Sequence, residues 1–304
     1  MPAPRSFGKD RGLQTRMLGT MFLLGLVYAV LIAVLIAAGV GVAAVVVIAA
    51  LLFVVQYFTS DKLALASMGA HEVTAAEAPE LHATVERLCI QANIPMVRVA
   101  VAQTPMANAF AVGRSPKTAT VCATTGLLGM LNQSELEAVL GHELTHVTNR
   151  DVMVMTVASF FASIAAFIVQ SGLWFGGFGG FGNDNRDNEG PGFAVVILVS
   201  GLVYVISFVL LQALSRYREF AADRGSAILT GRPSALISAL VKISDRMDLI
   251  PQRDLRAASG ELAAFYIFPP KAKQSVAALF STHPPLKARI DALQRLEAQL
   301  QGTR

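Results

Sequence analysis

Charged residues are absent from a long stretch near the start of the chain, between Arg16 and Asp61. The hydrocarbon core of a bilayer is about 30 Å thick, and a helix needs roughly 20 apolar residues to cross it. The stretch is therefore long enough for two spans, and we predict a transmembrane hairpin over 17–58. A cleaved signal peptide is not favoured, because its apolar segment covers only about 7–15 residues and here a second span follows directly.

A second stretch without charged residues begins at Val152 and ends at Asn183. It predicts a third span over 152–175, and the apolar segment 193–214 predicts a fourth. Between them, the segment 176–192 is rich in glycine and carries a small acidic patch. A flexible connection outside the membrane is favoured over a phosphate-binding loop, because no Gly-Lys-Ser/Thr sequence ends this segment.

The segments 61–151 and 215–304 have the mixed apolar and polar pattern of a soluble α+β domain. Short runs rich in β-branched residues predict strands, and apolar residues repeated every three or four positions predict amphipathic helices. The predicted strands are 97–102 and 118–124, and the predicted helices are 79–93, 134–150, 234–249 and 286–301. The sequence thus predicts a mainly α membrane protein with four transmembrane helices and an α+β domain divided between two segments.

The composition agrees with a membrane protein. Of the 304 residues, 54% are hydrophobic and only 15% are charged, whereas about a quarter of the residues in an ordinary soluble protein are charged. The formal net charge of +4 is small, which argues against nucleic acid as a partner. Cys89 and Cys122 form no paired motif, so a domain facing a reducing compartment is favoured over metal binding by either thiol.

Basic residues are concentrated on one side of the predicted spans. Lysines and arginines occur in 1–16, in 61–151 and in 215–304 next to the ends of the spans, whereas Arg186 is the single basic residue of the segment 176–192. Cytoplasmic loops of membrane proteins carry such an excess of Lys and Arg. We therefore predict that both ends of the chain and both parts of the α+β domain are cytoplasmic.

The strongest chemical signal is the sequence His-Glu-Leu-Thr-His at 142–146, in a predicted helix that we expect Ser134 to cap. Residues four apart lie one above the other on a helix, so His142 and His146 can each offer a ring nitrogen to one metal ion. In zinc peptidases with this spacing, the residue at the position of Glu143 does not bind the metal but takes a proton from the metal-bound water. Leucines occupy the other side of the helix, and the imidazoles are expected to face away from that apolar stripe.

A third ligand is available shortly after the predicted fourth span. Glu219 and Asp223 are four residues apart and share a helical face. Glu219 can complete a site of two histidines and one glutamate, and Asp223 can accept the second N–H of a ligand imidazole. The competing interpretation is a charged helix in which both carboxylates only balance neighbouring arginines. Position favours the metal site, because His146 lies about six residues before the third span and Glu219 about five after the fourth, near the same membrane face.

Four motifs together resemble the HtpX-type membrane zinc metallopeptidases, which are relatives of the prenyl-protein endopeptidases. They are His-Glu-Leu-Thr-His at 142–146, Glu-Phe-Ala-Ala-Asp at 219–223, Asn-Ala-Phe-Ala at 108–111 and Thr-His-Pro-Pro at 282–285. The resemblance covers nearly the whole chain, including the order of the spans. It implies a gluzincin fold in which His142, His146 and Glu219 bind one Zn²⁺ and Glu143 is the catalytic base.

The resemblance also implies a multi-pass protein of the bacterial inner membrane that cleaves damaged or misfolded membrane proteins. Two of the four motifs each allow two interpretations. Asn108, Ala109, Phe110 and Ala111 could form an exposed edge that pairs with an extended substrate, or a turn with the aromatic ring packed inward. His283 could donate a hydrogen bond to the oxyanion that forms on the scissile carbonyl, or it could simply precede a helix that begins at two prolines.

Two other functions fit part of the pattern. An intramembrane protease would place its histidines within an apolar span, but Glu135, Glu137 and Arg150 surround them here, which favours an aqueous interface. A non-enzymatic protein with a structural zinc would close the fourth coordination position with a ligand and would have no use for Glu143 as a base. Peptide-bond hydrolysis at the cytoplasmic face is therefore the predicted function, with polypeptides as substrates and the bilayer as the setting.

Overall fold

The computed structural model describes residues 11–37, 42–177, 191–247 and 284–302. Most of these residues are helical. In chain order the elements are α1 (Arg11–Ala37), α2 (Val42–Ser67), β1 (Ala70–Glu72), α3 (Pro79–Ala92), β2 (Arg98–Ala102), β3 (Ala109–Val112), β4 (Thr120–Thr124), α4 (Thr125–Leu128), α5 (Gln133–Asn149), α6 (Asp151–Gly177), α7 (Pro191–Thr230), α8 (Pro233–Met247) and α9 (Leu286–Leu300).

The chain divides into two compact units. The helical unit comprises Thr15–Thr59 and Met155–Leu214, and the sheet-containing unit comprises Met1–Gln14, Ser60–Val154 and Ser215–Arg304. Each unit is therefore built from separate parts of the sequence.

Three helices among the described residues are long and apolar enough to cross a membrane. They lie at Gly12–Ala37, Asp151–Val169 and Val195–Thr230, and they overlap the predicted first, third and fourth spans. The predicted second span falls on the helix α2, so the number of four spans stays a prediction. The predicted fourth span ends at residue 214, but α7 continues without interruption to Thr230.

Within the helical unit, a buried hydrogen bond connects α1 with α6. The hydroxyl of Tyr28 donates to the carbonyl oxygen of Ala158 at 2.6 Å, and the tyrosine is buried. A polar group inside a bilayer needs such a partner, because no water is present to replace it.

The sheet has four strands in the order β1-β2-β4-β3. The central strands β2 and β4 are parallel, with Val99 opposite Val121, and the two outer strands are antiparallel to their neighbours. The central strands are the two that the sequence predicted. The outer strands are only three and four residues long, which leaves too few alternating positions for a periodic signal.

Helices α3, α5, α8 and α9 pack their apolar residues into one core with the sheet. Its fully buried members include Val85, Leu88, Leu127, Leu140, Leu144, Leu236, Leu240, Ile243 and Leu293. Burial of one such leucine stabilises the fold by about 1.5–3 kcal/mol. The other face of the sheet carries Phe110 and Cys122, which pack with Ala64 from the end of α2.

The start of α5 is capped by Asn132, so the predicted N-cap at Ser134 is wrong. The Asn132 side chain accepts a hydrogen bond from the Glu135 N–H at 3.0 Å, and the Glu135 carboxylate accepts one from the Asn132 N–H at 2.9 Å. This reciprocal pair is a capping box. Asn132 is preferred because the glutamate that closes the box stands three residues after it, whereas Glu137, which stands three residues after Ser134, pairs with Arg87 instead.

Glu135 also connects α5 with α8. Its buried carboxylate accepts hydrogen bonds from Ser238 Oγ at 2.6 Å and from Lys242 Nζ at 2.8 Å. Burial raises the pKa of Glu135, but the hydrogen bonds from Lys242, Ser238 and Asn132 lower it by a larger amount. The pKa of this carboxyl group therefore lies below its usual value. The stabilisation is therefore present above the pKa of an unfolded glutamate and is lost as the pH falls through the folded pKa.

We expect Glu135→Gln to lower the free energy of unfolding by about 1–2 kcal/mol at pH 7, because the buried side chain loses the charge that strengthens its hydrogen bonds with Lys242 and Ser238. Thermal unfolding of the detergent-solubilised protein should show a lower melting temperature at pH 7 and a smaller difference from wild type at pH values below the folded pKa. The matched control is Glu86→Gln on α3, which replaces an exposed glutamate. Equal melting temperatures for the two variants at pH 7 would contradict this role of Glu135.

Candidate metal centre

Three side chains converge in the sheet-containing unit. His142 Nε2 lies 3.1 Å from His146 Nε2. The Glu219 carboxylate approaches both rings, with Oε2 at 3.6 Å from His142 Nε2 and Oε1 at 3.4 Å from His146 Nε2. One ligand atom of each residue lies within 4.8 Å of the other two, an arrangement that could hold a metal ion. The structure thus brings together the three residues that the sequence predicted as ligands.

A close approach of α7 to α5 places Glu219 beside the histidines. Ser226 Oγ on α7 donates a hydrogen bond to the carbonyl oxygen of Ala138 at 2.6 Å. A Cβ atom added to Gly225 would lie 2.3 Å from the Thr145 side chain, so a larger residue would push the helices apart. Glu219 lies less than about two turns before Gly225 on α7, and the same contact therefore fixes its position.

Both sides of α5 are buried, the side that carries the histidines and the side that carries the leucines. His142 is 4% exposed and Glu143 is 5% exposed, and Glu219 is also buried. The sequence indicated only that the imidazoles face away from the apolar stripe. The structure shows that Glu219 and Asp223 of α7 lie against them.

Asp223 lies beside the second ring nitrogen of His142, where the sequence predicted it. His142 Nδ1 is 3.0 Å from Asp223 Oδ1. Arg289 on α9 donates two hydrogen bonds to the same carboxylate, from Nε to Oδ2 at 2.8 Å and from Nη2 to Oδ1 at 2.6 Å. The Arg289 side chain is 0% exposed. The sequence pattern indicates that this arginine is buried, because it lies between Leu286 and Leu293 on the apolar face of α9. The pattern does not indicate which side chain the arginine contacts.

His146 has a carboxylate partner that the sequence did not predict. Its Nδ1 lies 2.6 Å from Asp151 Oδ2, and Arg218 Nε lies 3.2 Å from Asp151 Oδ1. On an unbroken helix, residues five apart point about 140° away from each other. The helix ends at Arg150, whose left-handed φ of 56° allows Asp151 to turn back to the imidazole.

Both imidazoles lie in a negatively charged environment. Burial lowers the pKa of His146, but Asp151 and Glu219 outweigh it and raise the pKa to about 10. Burial acts in the same way on His142, where Asp223 and Glu219 again raise the pKa above its usual value. The centre therefore favours a bound positive charge, whether that charge is a proton or a metal ion.

Two arginines keep the flanking carboxylates ionised. Arg218 Nε lies 3.2 Å from Asp151 Oδ1, and Arg289 donates hydrogen bonds to both carboxylate oxygens of Asp223. Arg289 is also 3.6 Å from Glu219 through Nη1, and its charge interacts with Glu143. This single buried arginine thus balances several carboxylates of the centre.

The three converging residues fit a zinc ion. With a carboxylate beside each Nδ1, a neutral imidazole at either position is expected to keep its proton on Nδ1 and to turn the Nε2 lone pair inward. Lone pairs 3.1 Å apart, with carboxylate oxygens close by, repel each other unless a cation lies between them. Neighbouring ligand atoms in a tetrahedral zinc site are about 3.3 Å apart. The two Nε2 atoms are separated by 3.1 Å, and the Glu219 carboxylate places one oxygen near each of them.

The motif at 108–111 forms the end of the sheet. Ala109–Val112 is strand β3, which pairs with β4 and lies last in the strand order. Asn108 and Phe110 are buried, and the ring of Phe110 packs inward against the sheet. The motif therefore combines the edge strand of one interpretation with the inward aromatic ring of the other. His283, the predicted oxyanion donor, lies outside the described residues.

Comparison with known proteins gives matches over most of the chain. The sequence model of the family described as "Peptidase family M48" matches residues 75–297. The protein "Protease HtpX homolog" of Moorella thermoacetica is 54% identical over 300 residues, covering 99% of each chain. "Protease HtpX homolog 2" of Methanosarcina acetivorans is 49% identical and covers 97% of this chain and 99% of its own length.

A solved structure shares the fold. S. mikatae Ste24p is similar with a TM-score of 0.56 at 16% sequence identity, over 93% of this chain and 66% of that chain. At this identity the likeness concerns the fold alone. The family match and the two relatives confirm the resemblance to HtpX-type metallopeptidases, and they disfavour the non-enzymatic alternative. The chain therefore belongs to peptidase family M48 and is a membrane metalloendopeptidase.

Proposed function

We propose that this chain is a zinc endopeptidase of the bacterial inner membrane that cleaves damaged or misfolded membrane proteins at the cytoplasmic face. The observation that carries the proposal is the convergence of His142, His146 and Glu219 around a common point, with Glu143 buried on the same turn of α5. Two histidines and one glutamate form the ligand set of catalytic zinc in several peptidases, with the fourth position left open.

The side chains of the centre have distinct tasks in this proposal. His142, His146 and Glu219 hold the ion, and two nitrogen ligands with one carboxylate favour zinc over harder cations. Zinc, when bound, polarises a carbonyl oxygen and lowers the pKa of a coordinated water. Glu143 accepts the proton of the attacking water and delivers it to the leaving amine nitrogen, so that its carboxylate is regenerated after each cleavage.

An extended substrate is proposed to lie along β3. This strand is last in the order of the described sheet, and addition of a peptide as a further strand is a common mode of recognition. The segment 108–111 would provide main-chain hydrogen bonds, which do not depend on the side chains of the substrate. Such recognition suits a protease whose substrates share an unfolded backbone. We further propose that His283 donates a hydrogen bond to the oxyanion that forms on the scissile carbonyl.

The membrane setting is supported by the candidate spans and the charge distribution. Helices α1, α6 and α7 each contain an apolar stretch long enough to cross a bilayer, and the basic residues flank the spans on one side. We propose four spans, with α2 as the additional one, and a cytoplasmic position for the sheet-containing unit. A substrate that leaves the bilayer on that side would emerge in the same compartment as the centre.

The experiment that tests the function is metal removal from the detergent-purified full chain. We expect about one zinc per chain by metal analysis, and cleavage of an unfolded membrane protein that stops when a chelator removes the metal. Added Zn²⁺ should restore the cleavage and added Mg²⁺ should not, because magnesium prefers oxygen ligands. A cleavage rate that is unchanged in the metal-free protein would reject the proposal.

The same assay can determine the side of the membrane. In inside-out vesicles, whose outer surface is the cytoplasmic one, an added unfolded polypeptide should be cut without detergent. In right-side-out vesicles the same polypeptide should stay intact until detergent is added. The opposite result would place the centre on the other side and would reject the predicted orientation.

A further inference from the structure

The two ligand histidines are supported by two arginine–aspartate pairs that come from different parts of the fold. Asp223 on α7 lies 3.0 Å from His142 Nδ1 and is held by Arg289 on α9. Asp151 at the start of α6 lies 2.6 Å from His146 Nδ1 and pairs with Arg218 on α7 at 3.2 Å. Each imidazole thus has an aspartate beside its Nδ1 and an arginine beside that aspartate.

The position of Asp151 depends on the change of direction between helices α5 and α6. Arg150 ends α5 in a left-handed conformation with φ 56° and ψ 38°, and Asp151 is the first residue of α6. A carboxylate at the first turn of a helix meets the positive end of the helix dipole. Three positive groups thus surround Asp151: the helix start, the Arg218 guanidinium and the N–H of the imidazole.

Burial shows that this contact is not a surface ion pair. The side chain of Asp151 is 2% exposed, and those of Arg218 and His146 are 12% and 11% exposed. A carboxylate buried to this degree is costly unless its partners satisfy it. Arg218 is next to Glu219 in the sequence, so α7 supplies both a proposed ligand and the arginine behind the aspartate that contacts His146.

We propose that Asp151, held by Arg218, is a positioning residue for the metal ligand His146; this inference rests on the proposed zinc function. Asp151 accepts the Nδ1–H of the imidazole, which fixes the tautomer whose Nε2 lone pair points into the centre. It also fixes the angle of the ring, since a 2.6 Å contact leaves little freedom of rotation. Partners of this kind change metal affinity by about 10–100-fold when they are removed.

The test measures the dissociation constant for Zn²⁺ of the detergent-purified, metal-free full chain by competition with a chelator. We expect Asp151→Asn to raise the dissociation constant about 10–100-fold, because the amide oxygen accepts a hydrogen bond without the carboxylate charge. Arg218→Met should raise it by a smaller factor, and Arg218→Lys should restore most of the loss because the positive charge returns. Asp245→Asn, which changes an exposed aspartate of α8, is the matched control and should leave the constant unchanged.

The melting temperature of the metal-free variants separates positioning from folding. A dissociation constant within twofold of wild type in both Asp151→Asn and Arg218→Met would overturn the inference. So would an Asp151→Asn chain that no longer folds together with an Arg218→Met chain of unchanged zinc affinity, because Asp151 would then have a structural role only. A wild-type chain that binds Zn²⁺ but cuts no polypeptide would reject the proposed function and leave the role of Asp151 standing.

Discussion

Glu143→Gln is expected to abolish proteolysis while the protein keeps its metal. The amide has nearly the same shape as the carboxylate but cannot accept a proton from water, and loss of a general base costs about 10²–10⁴-fold in rate. Zinc content should be unchanged, because His142, His146 and Glu219 are intact. The measurement is the initial rate of cleavage of an unfolded membrane protein, together with the zinc content per chain.

Two comparisons make the Glu143 result specific. His146→Ala should lose both zinc and activity, because it removes a ligand, so the two variants should differ in metal content but not in rate. Glu137→Gln lies on the same helix and changes a glutamate whose partner is Arg87 at 3.4 Å; it should keep both zinc and activity. A cleavage rate within tenfold of wild type in Glu143→Gln would exclude Glu143 as the base.

Arg289→Met is expected to have the largest effect on stability. Asp223 would lose both hydrogen bonds from the guanidinium, and its charge would be left buried beside Glu219. Removal of one partner from a buried ion pair costs about 3–5 kcal/mol. The free energy of unfolding of the metal-free protein in detergent should fall by that amount, whereas Arg295→Met, at an exposed position of the same helix, should change it little.

A double variant separates the charge of Asp223 from its contact with His142. Adding Asp223→Asn to Arg289→Met removes the unpaired charge and should recover part of the lost stability. It should not recover zinc affinity, because the carboxylate beside His142 Nδ1 is absent. If Arg289→Met alone unfolds no more easily than Arg295→Met, the buried pair does not stabilise the fold as we expect.

The sequence predicted the parts of the centre that follow local helical geometry. His142 and His146 are one turn apart, and so are Glu219 and Asp223, so their shared faces follow from the helical repeat. Asp151 escaped prediction because it reaches His146 only through the left-handed residue Arg150. No local rule places a positive φ at an arginine, a residue type that rarely adopts it.

Long-range packing accounts for the other omission. Arg289 pairs with a carboxylate 66 residues earlier in the chain, and its helix was predicted correctly as amphipathic and buried. The helical pattern indicates which face of α9 is buried, but it does not indicate that Arg289 on that face pairs with the Asp223 carboxylate. The long apolar helices that are candidate membrane spans were predictable because an apolar run of about 20 residues without a charge is the pattern that a bilayer requires. α7 continues beyond residue 214 to Thr230, and in this part it contacts α5 through Gly225 and Ser226.

The order of the ligands along the chain has a consequence for biosynthesis. His142 and His146 leave the ribosome first, Glu219 follows only after the whole apolar part of α7, and Arg289 comes later still. The two histidines alone leave half of a tetrahedral coordination sphere without protein ligands. If the three residues hold zinc as proposed, a nascent chain gains its third protein ligand only after the apolar part of α7 has been synthesised.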